Sequence, residues 1–259
     1  MESGILWNTS IWKRLIIGCI FAVLIYSVFY YMNQTVPSLS TSIMQPELPI
    51  YCVNTGDAPT ISLTFDAAWG DEDLDTILGI LEKHQAKATF FVTGDWVSRY
   101  PEAVCRIAKE GHDLGNHGDN HKHMTQLSES EIKQEINGCH KKILELTNVS
   151  MTLFRAPYGD YDENLVAIAK DCGYSTIQWD VDSLDWKDYG VSSIIQTVCE
   201  HKHLGNGSII LLHNGSKYTA EALDELLTSL EEKGYQFVPV SKLLLTQNYT
   251  IDHEGRQQP

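Results

Sequence analysis

A predicted strand that ends in an aspartate limits this chain to a small set of α/β folds. Within TISLTFDAAWG (residues 60–70), apolar and polar side chains alternate, which predicts a β-strand that ends at Asp66. An amphipathic helix pattern follows at once, so the stretch opens a βα unit. Folds of the α/β class place their chemistry at the carboxyl ends of such strands. Asp66 is therefore a candidate catalytic residue, and capping of a turn or helix is the alternative.

Strands and helices alternate along the chain from residue 58 onward. Apolar runs predict further strands at residues 87–93, 112–116, 152–154, 175–180, 208–213 and 236–239. Helical periodicity lies between them, over residues 97–110, 161–172, 191–203, 219–233 and 241–246, with a Ser128/Glu131 capping box opening one more helix. This alternation predicts a parallel sheet, closed or nearly closed into a (β/α) barrel.

A run without charged residues, from Leu15 to Met32, precedes this region. About 18–20 apolar residues suffice for a transmembrane helix. Lys13 and Arg14 flank the run, which predicts a cytoplasmic N-terminus and a C-terminal part outside the membrane. A cleaved signal peptide is the alternative, which the length of the run and the lack of a small-x-small cleavage site disfavour.

Composition divides the chain into five predicted segments. These are a short cytoplasmic segment (1–14), a transmembrane anchor (15–32), an extra-membrane linker with three prolines (33–57), a domain of alternating strands and helices (58–247) and a polar tail (248–259). We expect the polar tail to fray.

Charge and cysteine content exclude several classes of function. The formal net charge is −15, which argues against a nucleic-acid partner because phosphate binding needs clustered lysine and arginine. Of the 6 cysteines, Cys19 lies in the apolar run. The others form no CxxC pattern, so we expect neither a disulfide framework nor a zinc knuckle.

Two histidines follow the predicted strand at 112–116. His117 and His121 are separated by three residues in HGDNH, and such a pair can bind one metal ion if the segment is tightly turned. Two solvated histidines are the alternative.

Other candidate side chains also follow predicted strands. Arg155 opens the turn RAPYG, where its guanidinium can hold a carboxylate and lower its pKa, unless it forms an ordinary surface ion pair. His213 ends an apolar strand and is either structural or, beside a carboxylate, a general acid. Residues 180–186 (DVDSLDW), with Trp179 before them, place three carboxylates beside two tryptophans. This composition fits a sugar-binding groove or a solvated acidic loop.

Five short motifs occur in order at these positions. They are TFD (64–66), HxxxH (117–121), RAPYG (155–159), DSLDW (182–186) and LLH (211–213). Together they resemble the polysaccharide deacetylases of carbohydrate esterase family 4, the NodB-homology family. The resemblance covers roughly residues 58–245. It implies a distorted (β/α) barrel and metal-dependent hydrolysis of N-acetyl, sometimes O-acetyl, groups on chitin-like or peptidoglycan glycans.

The resemblance also implies roles for the first three motifs. Asp66 matches the general base that deprotonates the attacking water, and Arg155 matches the residue that orients this base. His117 and His121 match the two histidine ligands of a divalent metal, with zinc favoured over cobalt, manganese or nickel.

The remaining matches surround the acetyl group. Tyr158 matches the position whose backbone N–H helps to hold the oxyanion. His213 matches the general acid that protonates the leaving amine, and Asp185 matches the carboxylate that tunes it. Trp186 and Leu211 match the walls of the acetyl pocket.

One departure from the family pattern concerns the metal. The usual first motif has a second aspartate that binds the metal, and here that position is Ala67. Water, Asp119 or Asp71 could replace the missing ligand. Gly118 stands where the family usually has serine or threonine. The form Phe-Asp-x-x-Trp-Gly resembles a subset associated with sporulation or cell-wall remodelling in Gram-positive bacteria.

The sequence therefore predicts a single-pass membrane protein whose catalytic domain lies outside the cell and removes N-acetyl groups from a cell-wall glycan. A degenerate deacetylase that binds glycan without turnover is the alternative, which Ala67 favours.

Overall fold

The computed structural model of the protein describes residues 9–35 and 48–259. Contacts divide the chain into two units, Met1–Gln45 and Pro46–Pro259. Residues 1–8 of the predicted cytoplasmic segment and residues 36–47 of the predicted linker lie outside the described residues.

The described part of the first unit is one helix, α1 (Thr9–Thr35). Its described side chains between residues 16 and 31 are mostly apolar and are exposed. Across the residues that the structure describes, no helix is both apolar and long enough for a membrane span, and the predicted anchor at 15–32 is not confirmed.

The second unit alternates strands and helices. The strands are β1 (Cys52–Val53), β2 (Thr60–Ala67), β3 (Thr89–Val92), β4 (Asp113–Asn116), β5 (Leu153–Phe154), β6 (Ser175–Thr176), β7 (Val181–Asp182), β8 (Ile209–His213), β9 (Gln236–Phe237), β10 (Thr250–Ile251) and β11 (Arg256–Gln258). The helices are α2 (Leu74–Lys83), α3 (Gly94–Arg99), α4 (Pro101–Lys109), α5 (Glu129–Thr147), α6 (Glu163–Asp171), α7 (Val191–Cys199), α8 (Thr219–Glu232) and α9 (Val240–Leu243).

The main sheet is parallel and has the strand order β6-β5-β4-β3-β2-β8-β7, with β9 also paired to β2. No pairing within the described residues joins the terminal strands β6 and β7, so the sheet curls into an open half-barrel. The predicted α/β class and parallel sheet are confirmed. The predicted strand at 175–180 is interrupted, because Ile177 pairs instead with Ile50.

The central strand β2 places its two faces in different surroundings. Ile61, Leu63, Phe65 and Ala67 belong to the hydrophobic core that includes buried residues of the helices. The alternate residues are polar and buried, and end in Asp66. Parallel pairing sets Asp66 opposite His213 of β8. The carboxyl ends of these neighbouring strands therefore meet at one edge of the sheet.

Helix boundaries follow local chemistry. The predicted helix at 97–110 is two helices, α3 and α4, separated at Pro101, which begins the second helix because proline lacks the N–H that an interior position donates. The predicted capping box of α5 is present: the Ser128 N–H donates to Glu131 Oε2 over 2.8 Å.

The predicted frayed tail is wrong, and the predicted linker extends too far. Strand β11 pairs with both β1 and β10. Ile50 and Val53, placed in the linker by composition, are buried. Gln257 is buried too, and its side-chain amide accepts from Leu245 N over 2.7 Å and donates to Leu245 O over 2.9 Å. These contacts join the two ends of the domain.

All six cysteines lie in the described residues and carry free thiols. Cys139 is fully buried, and its Sγ donates to the Val92 carbonyl over 3.2 Å. Burial raises the pKa of the Cys139 thiol to about 12, so this cysteine is an unreactive part of the core.

Candidate active site

A cavity of about 390 Å³ opens at the carboxyl edge of the sheet. Its walls are formed by Asp66, Ala68, Trp69, His117, His121, Tyr158, Gly159, Trp179, Asp182, Trp186, Leu211 and His213. The cavity thus gathers most of the residues predicted from the sequence, while Arg155 and Asp185 lie behind its wall and bond to Asp66 and His213.

The first pair in this site joins Asp66 to Arg155. Asp66 Oδ1 accepts a hydrogen bond from Arg155 Nη1 over 2.7 Å. The same nitrogen donates to Thr64 Oγ1 over 2.9 Å, and Nη2 donates to the Gln178 carbonyl over 3.0 Å. The Arg155 guanidinium also lies 4.1 Å from the Phe91 ring centroid. Arg155 is completely buried, which rules out an ordinary surface ion pair.

This environment sets the charge of Asp66. Burial by itself would raise the pKa of its carboxyl, but Arg155, His117 and His213 hold that pKa below its usual range. Asp66 is therefore ionised at neutral pH. The residue preceding α2 is Asp73, so Asp66 is not the cap of that helix.

The two predicted metal ligands lie together beside Asp66. The ring centroids of His117 and His121 are 5.0 Å apart. His117 Nδ1 lies 2.8 Å from the Arg155 carbonyl oxygen, which can only accept, so Nδ1 carries the proton. His117 Nε2 then presents its lone pair at 3.5 Å from Asp66 Oδ2.

Both rings are kept neutral. Burial lowers the pKa of His117 and outweighs the opposing effect of Asp66. Burial, together with His117, lowers the pKa of His121 to about 4. Each imidazole therefore keeps a lone pair at neutral pH.

These features fit a metal site only in part. Metal-binding histidines are neutral and donate their second ring N–H to a carbonyl or carboxylate, as His117 does. Among the described residues, however, no cluster of three or more His, Cys, Asp or Glu side chains is arranged to hold a metal ion. The site supplies two imidazole donors and lacks a third protein ligand.

The loop between the histidines accounts for Gly118 and shows what the candidate ligand Asp119 contacts. Gly118 has φ +76°, a left-handed conformation that disfavours serine or threonine. Asp119, one candidate for the missing ligand, instead pairs with Lys142 Nζ at 2.7 Å. The side chain of Ala67, at the departure itself, is fully buried in the hydrophobic core.

A second acid–base pair joins His213 to Asp185. His213 Nδ1 lies 2.8 Å from Asp185 Oδ1. Asp185 Oδ2 accepts hydrogen bonds from the backbone N–H of His213 over 2.7 Å and from Thr219 Oγ1 over 2.6 Å. Burial alone would lower the pKa of His213, but Asp185, Asp66 and Asp182 raise it overall. His213 is therefore a histidine beside a carboxylate, the arrangement that suits a proton donor.

Apolar and aromatic side chains complete the cavity. Leu211 is buried, whereas Tyr158 and Trp186 are exposed at its rim. Tyr158 has φ +63°, which turns the backbone sharply after Pro157.

Three further lining residues had no predicted site role. The Trp69 ring lies 5.3 Å from that of His213. Trp179 and Asp182 were recognised only as part of an acidic, aromatic loop, and both line the cavity. Asp180 of the same loop does not: its carboxylate accepts from Ile209 N and Ser208 Oγ. Strand ends and aromatic composition pointed to this region, but could not distinguish one aspartate from the next.

Comparison with known proteins adds to this geometry. The sequence model of the polysaccharide deacetylase family matches residues 53–177. An uncharacterized protein of Bacillus subtilis, YlxY, is 36% identical over 212 residues, or 82% of this chain and 65% of that protein. This chain thus spans slightly under two thirds of that relative. The peptidoglycan-N-acetylmuramic acid deacetylase PdaA of B. subtilis is 33% identical over 75% of this chain and 74% of its own length.

Solved structures give the same fold. A pseudoenzyme of carbohydrate esterase family 4 from Bacillus anthracis has a TM-score of 0.72 and 35% identity, covering 80% of this chain and 72% of its own. A mutant of that pseudoenzyme with restored enzymatic activity also has a TM-score of 0.72, with 36% identity.

Proposed function

Because this chain belongs to the polysaccharide deacetylase family, carbohydrate esterase family 4, we propose that it removes N-acetyl groups from a cell-wall glycan, either peptidoglycan or a chitin-like polymer. One observation carries the proposal. An ionised carboxylate, Asp66, and a carboxylate-bound imidazole, His213, end neighbouring strands and face the same cavity. Relatives named as peptidoglycan deacetylases support the choice of glycan.

The proposed reaction uses these two groups in sequence. Asp66 accepts a proton from a water molecule as the water oxygen attacks the acetyl carbonyl carbon. The Tyr158 backbone N–H helps to stabilise the resulting oxyanion. His213 then donates a proton to the amide nitrogen, the carbon–nitrogen bond breaks, and acetate and a free amine leave.

Four residues serve the reaction without bonding changes of their own. Arg155 keeps Asp66 ionised and fixed by its 2.7 Å hydrogen bond. Asp185 holds His213 in the orientation and tautomer that leave Nε2 facing the cavity. Leu211 and Trp186 enclose the acetyl methyl group and exclude water around it.

We assign His117 and His121 as the residues that would hold a divalent cation, with zinc favoured over cobalt, manganese or nickel. Bound there, the cation would act as a Lewis acid toward the acetyl carbonyl. With two protein ligands the affinity should be low compared with that of a three-ligand site.

We also propose that the protein is a single-pass membrane protein, with a cytoplasmic N-terminus and the domain outside the cell. The uncharged run from Leu15 to Met32 and the exposed apolar side chains of α1 support this topology. Fractionation and protease accessibility of the full chain in a Gram-positive host would test it. Recovery without membranes would contradict it, and a role in sporulation would be examined in the same host.

Glycan binding without turnover is the second candidate. Ala67 removes a ligand that the family pattern contains, and a structural relative is a pseudoenzyme. Acetate release distinguishes the two functions. The full chain, loaded with zinc, should release acetate from peptidoglycan or chitin oligomers, and His213→Gln should reduce release at least about 100-fold. Binding of the same glycans with no release from wild type would favour the second candidate.

A further inference from the structure

A buried glutamate on α5 supports the loop that carries the histidine pair. Glu135 is 3% exposed and lies outside the cavity. Burying a carboxylate is costly unless hydrogen bonds and a counter-charge satisfy it. The partners of Glu135 therefore reveal what this residue stabilises.

The partners all belong to the short stretch between and just after the two histidines. Glu135 Oε2 accepts from Asp119 N over 2.9 Å and from Asn120 N over 2.7 Å. Glu135 Oε1 accepts from Asn120 Nδ2 over 2.9 Å and lies 2.9 Å from Lys122 Nζ. One carboxylate thus bonds to three residues, Asp119, Asn120 and Lys122, which flank His121 on both sides.

The first half of the loop between the histidines, residues 117–118, is held by other hydrogen bonds. His117 N donates to the Val92 carbonyl over 3.0 Å, and Gly118 N donates to Asn116 Oδ1 over 2.9 Å. These bonds come from the sheet edge itself. The second half, which leads to His121, bonds to Glu135 through Asp119 N and Asn120 N, and Asp119 is also held by Lys142 Nζ over 2.7 Å and by Asp95 N over 2.8 Å. His121 has φ +52°, an unfavourable conformation for a residue with a side chain, so surrounding contacts must hold it.

We propose that Glu135 is a positioning residue that holds His121 at the separation from His117 required for two imidazoles to bind one divalent cation. This inference rests on the proposed function only in its choice of cation. Removal of Glu135 should leave His117 in place and release His121. The cation would then be bound by one imidazole instead of two.

Zinc affinity of the full chain is the direct test, measured by competition with a chromophoric chelator. Glu135→Gln keeps the size of the side chain, but the glutamine N–H₂ group is itself a donor. It cannot accept the hydrogen bonds that Asn120 and Lys122 donate to Glu135. We expect its zinc Kd to rise at least about 10-fold, the range typical of residues that orient metal ligands. Lys122→Met keeps both backbone hydrogen bonds, and its Kd should stay within about twofold of wild type.

Asp180→Asn is the matched control. Asp180 is a half-buried carboxylate that also accepts a backbone N–H, from Ile209 over 2.8 Å, but it contacts neither histidine. Asp180→Asn and Glu135→Gln should both lower the Tm, whereas only Glu135→Gln should change the zinc Kd. Equal zinc affinity in Glu135→Gln and wild type would overturn the proposal, as would wild type that binds no zinc.

Acetate release, measured on the same samples, separates this inference from the proposed function. Zinc binding that depends on Glu135, without any acetate release, would contradict only the deacetylase assignment. Acetate release together with an equal zinc Kd in Glu135→Gln and wild type would contradict only the role of Glu135.

Discussion

The Asp66 carboxylate and the Arg155 guanidinium are joined by a 2.7 Å hydrogen bond in the interior of the half-barrel. Arg155 is completely buried, and Asp66 is the carboxylate that bonds to it. The pair is therefore structural, because loss of either charge leaves the other buried without its counter-charge.

Asp66→Asn should lower the free energy of unfolding by about 3–5 kcal/mol, the cost typical of breaking a buried ion pair. Acetate release should fall by at least about 100-fold, because an amide cannot accept the proton of water. Urea unfolding and acetate assays at low temperature would measure both effects. The double variant Asp66→Asn/Arg155→Met should recover part of the stability and none of the activity. Unchanged stability of Asp66→Asn would mean that other groups compensate the Arg155 charge.

The Asp185–His213 pair predicts a pH dependence of stability. The folded-state pKa of His213 is raised above the value of about 6.5 expected in the unfolded chain. Its stabilising contribution should therefore be complete below about pH 6.5 and should be lost as the pH rises through the raised pKa. The stability difference between wild type and Asp185→Asn should shrink over that interval. A difference that is constant from pH 5 to pH 9 would contradict the assignment.

The same pair predicts the alkaline limb of the activity profile. Because His213 must be protonated to donate, acetate release should decline as the pH rises through its raised pKa. Asp185→Asn should move this decline to lower pH, since the neutral amide stabilises the imidazolium less. Thr219→Val, which removes a hydrogen bond to Asp185 Oδ2 but keeps the charge, is the control and should move it less.

Ala67→Asp tests whether the missing carboxylate limits metal binding. We expect a lower zinc Kd than in wild type, together with a lower Tm in EDTA, because Ala67 packs within the hydrophobic core. Zinc should restore part of the lost Tm. Ala67→Asn introduces an uncharged side chain of the same size as aspartate. Its Tm should be lower than that of wild type, and its zinc Kd should not decrease. If both variants lose stability and neither gains zinc affinity, position 67 does not reach the metal.

The C-terminal segment should contribute to stability. Gln257→Ala leaves the backbone groups of Leu245 without their side-chain partner, which should cost about 1–3 kcal/mol. Glu254→Ala, at an exposed position of the same segment, should change the free energy of unfolding by less than about 0.5 kcal/mol. Equal stability of Gln257→Ala and wild type would mean that the segment contributes little.

Much of the fold could be predicted because its signals are local. Alternation along β2, the apolar run of β8 and the Ser128 cap each depend on neighbours in sequence. The errors at the two ends of the domain concern long-range contacts. Residues 50–53 and 250–258 carry weak local signals and become ordered by pairing with each other across the length of the domain.

Strand period and parallel topology bring Asp66 and His213 to the carboxyl edge of the sheet whatever surrounds them, so local sequence is enough to predict which side chains reach that edge. What those side chains can do depends on packing. It buried Arg155 against Asp66 and paired Asp119 with Lys142 rather than with the histidines. Burial and charge depend on groups that are distant in sequence. Local patterns therefore predict where the site lies, and only packing determines the ionisation of its side chains and which of them can bind a metal ion.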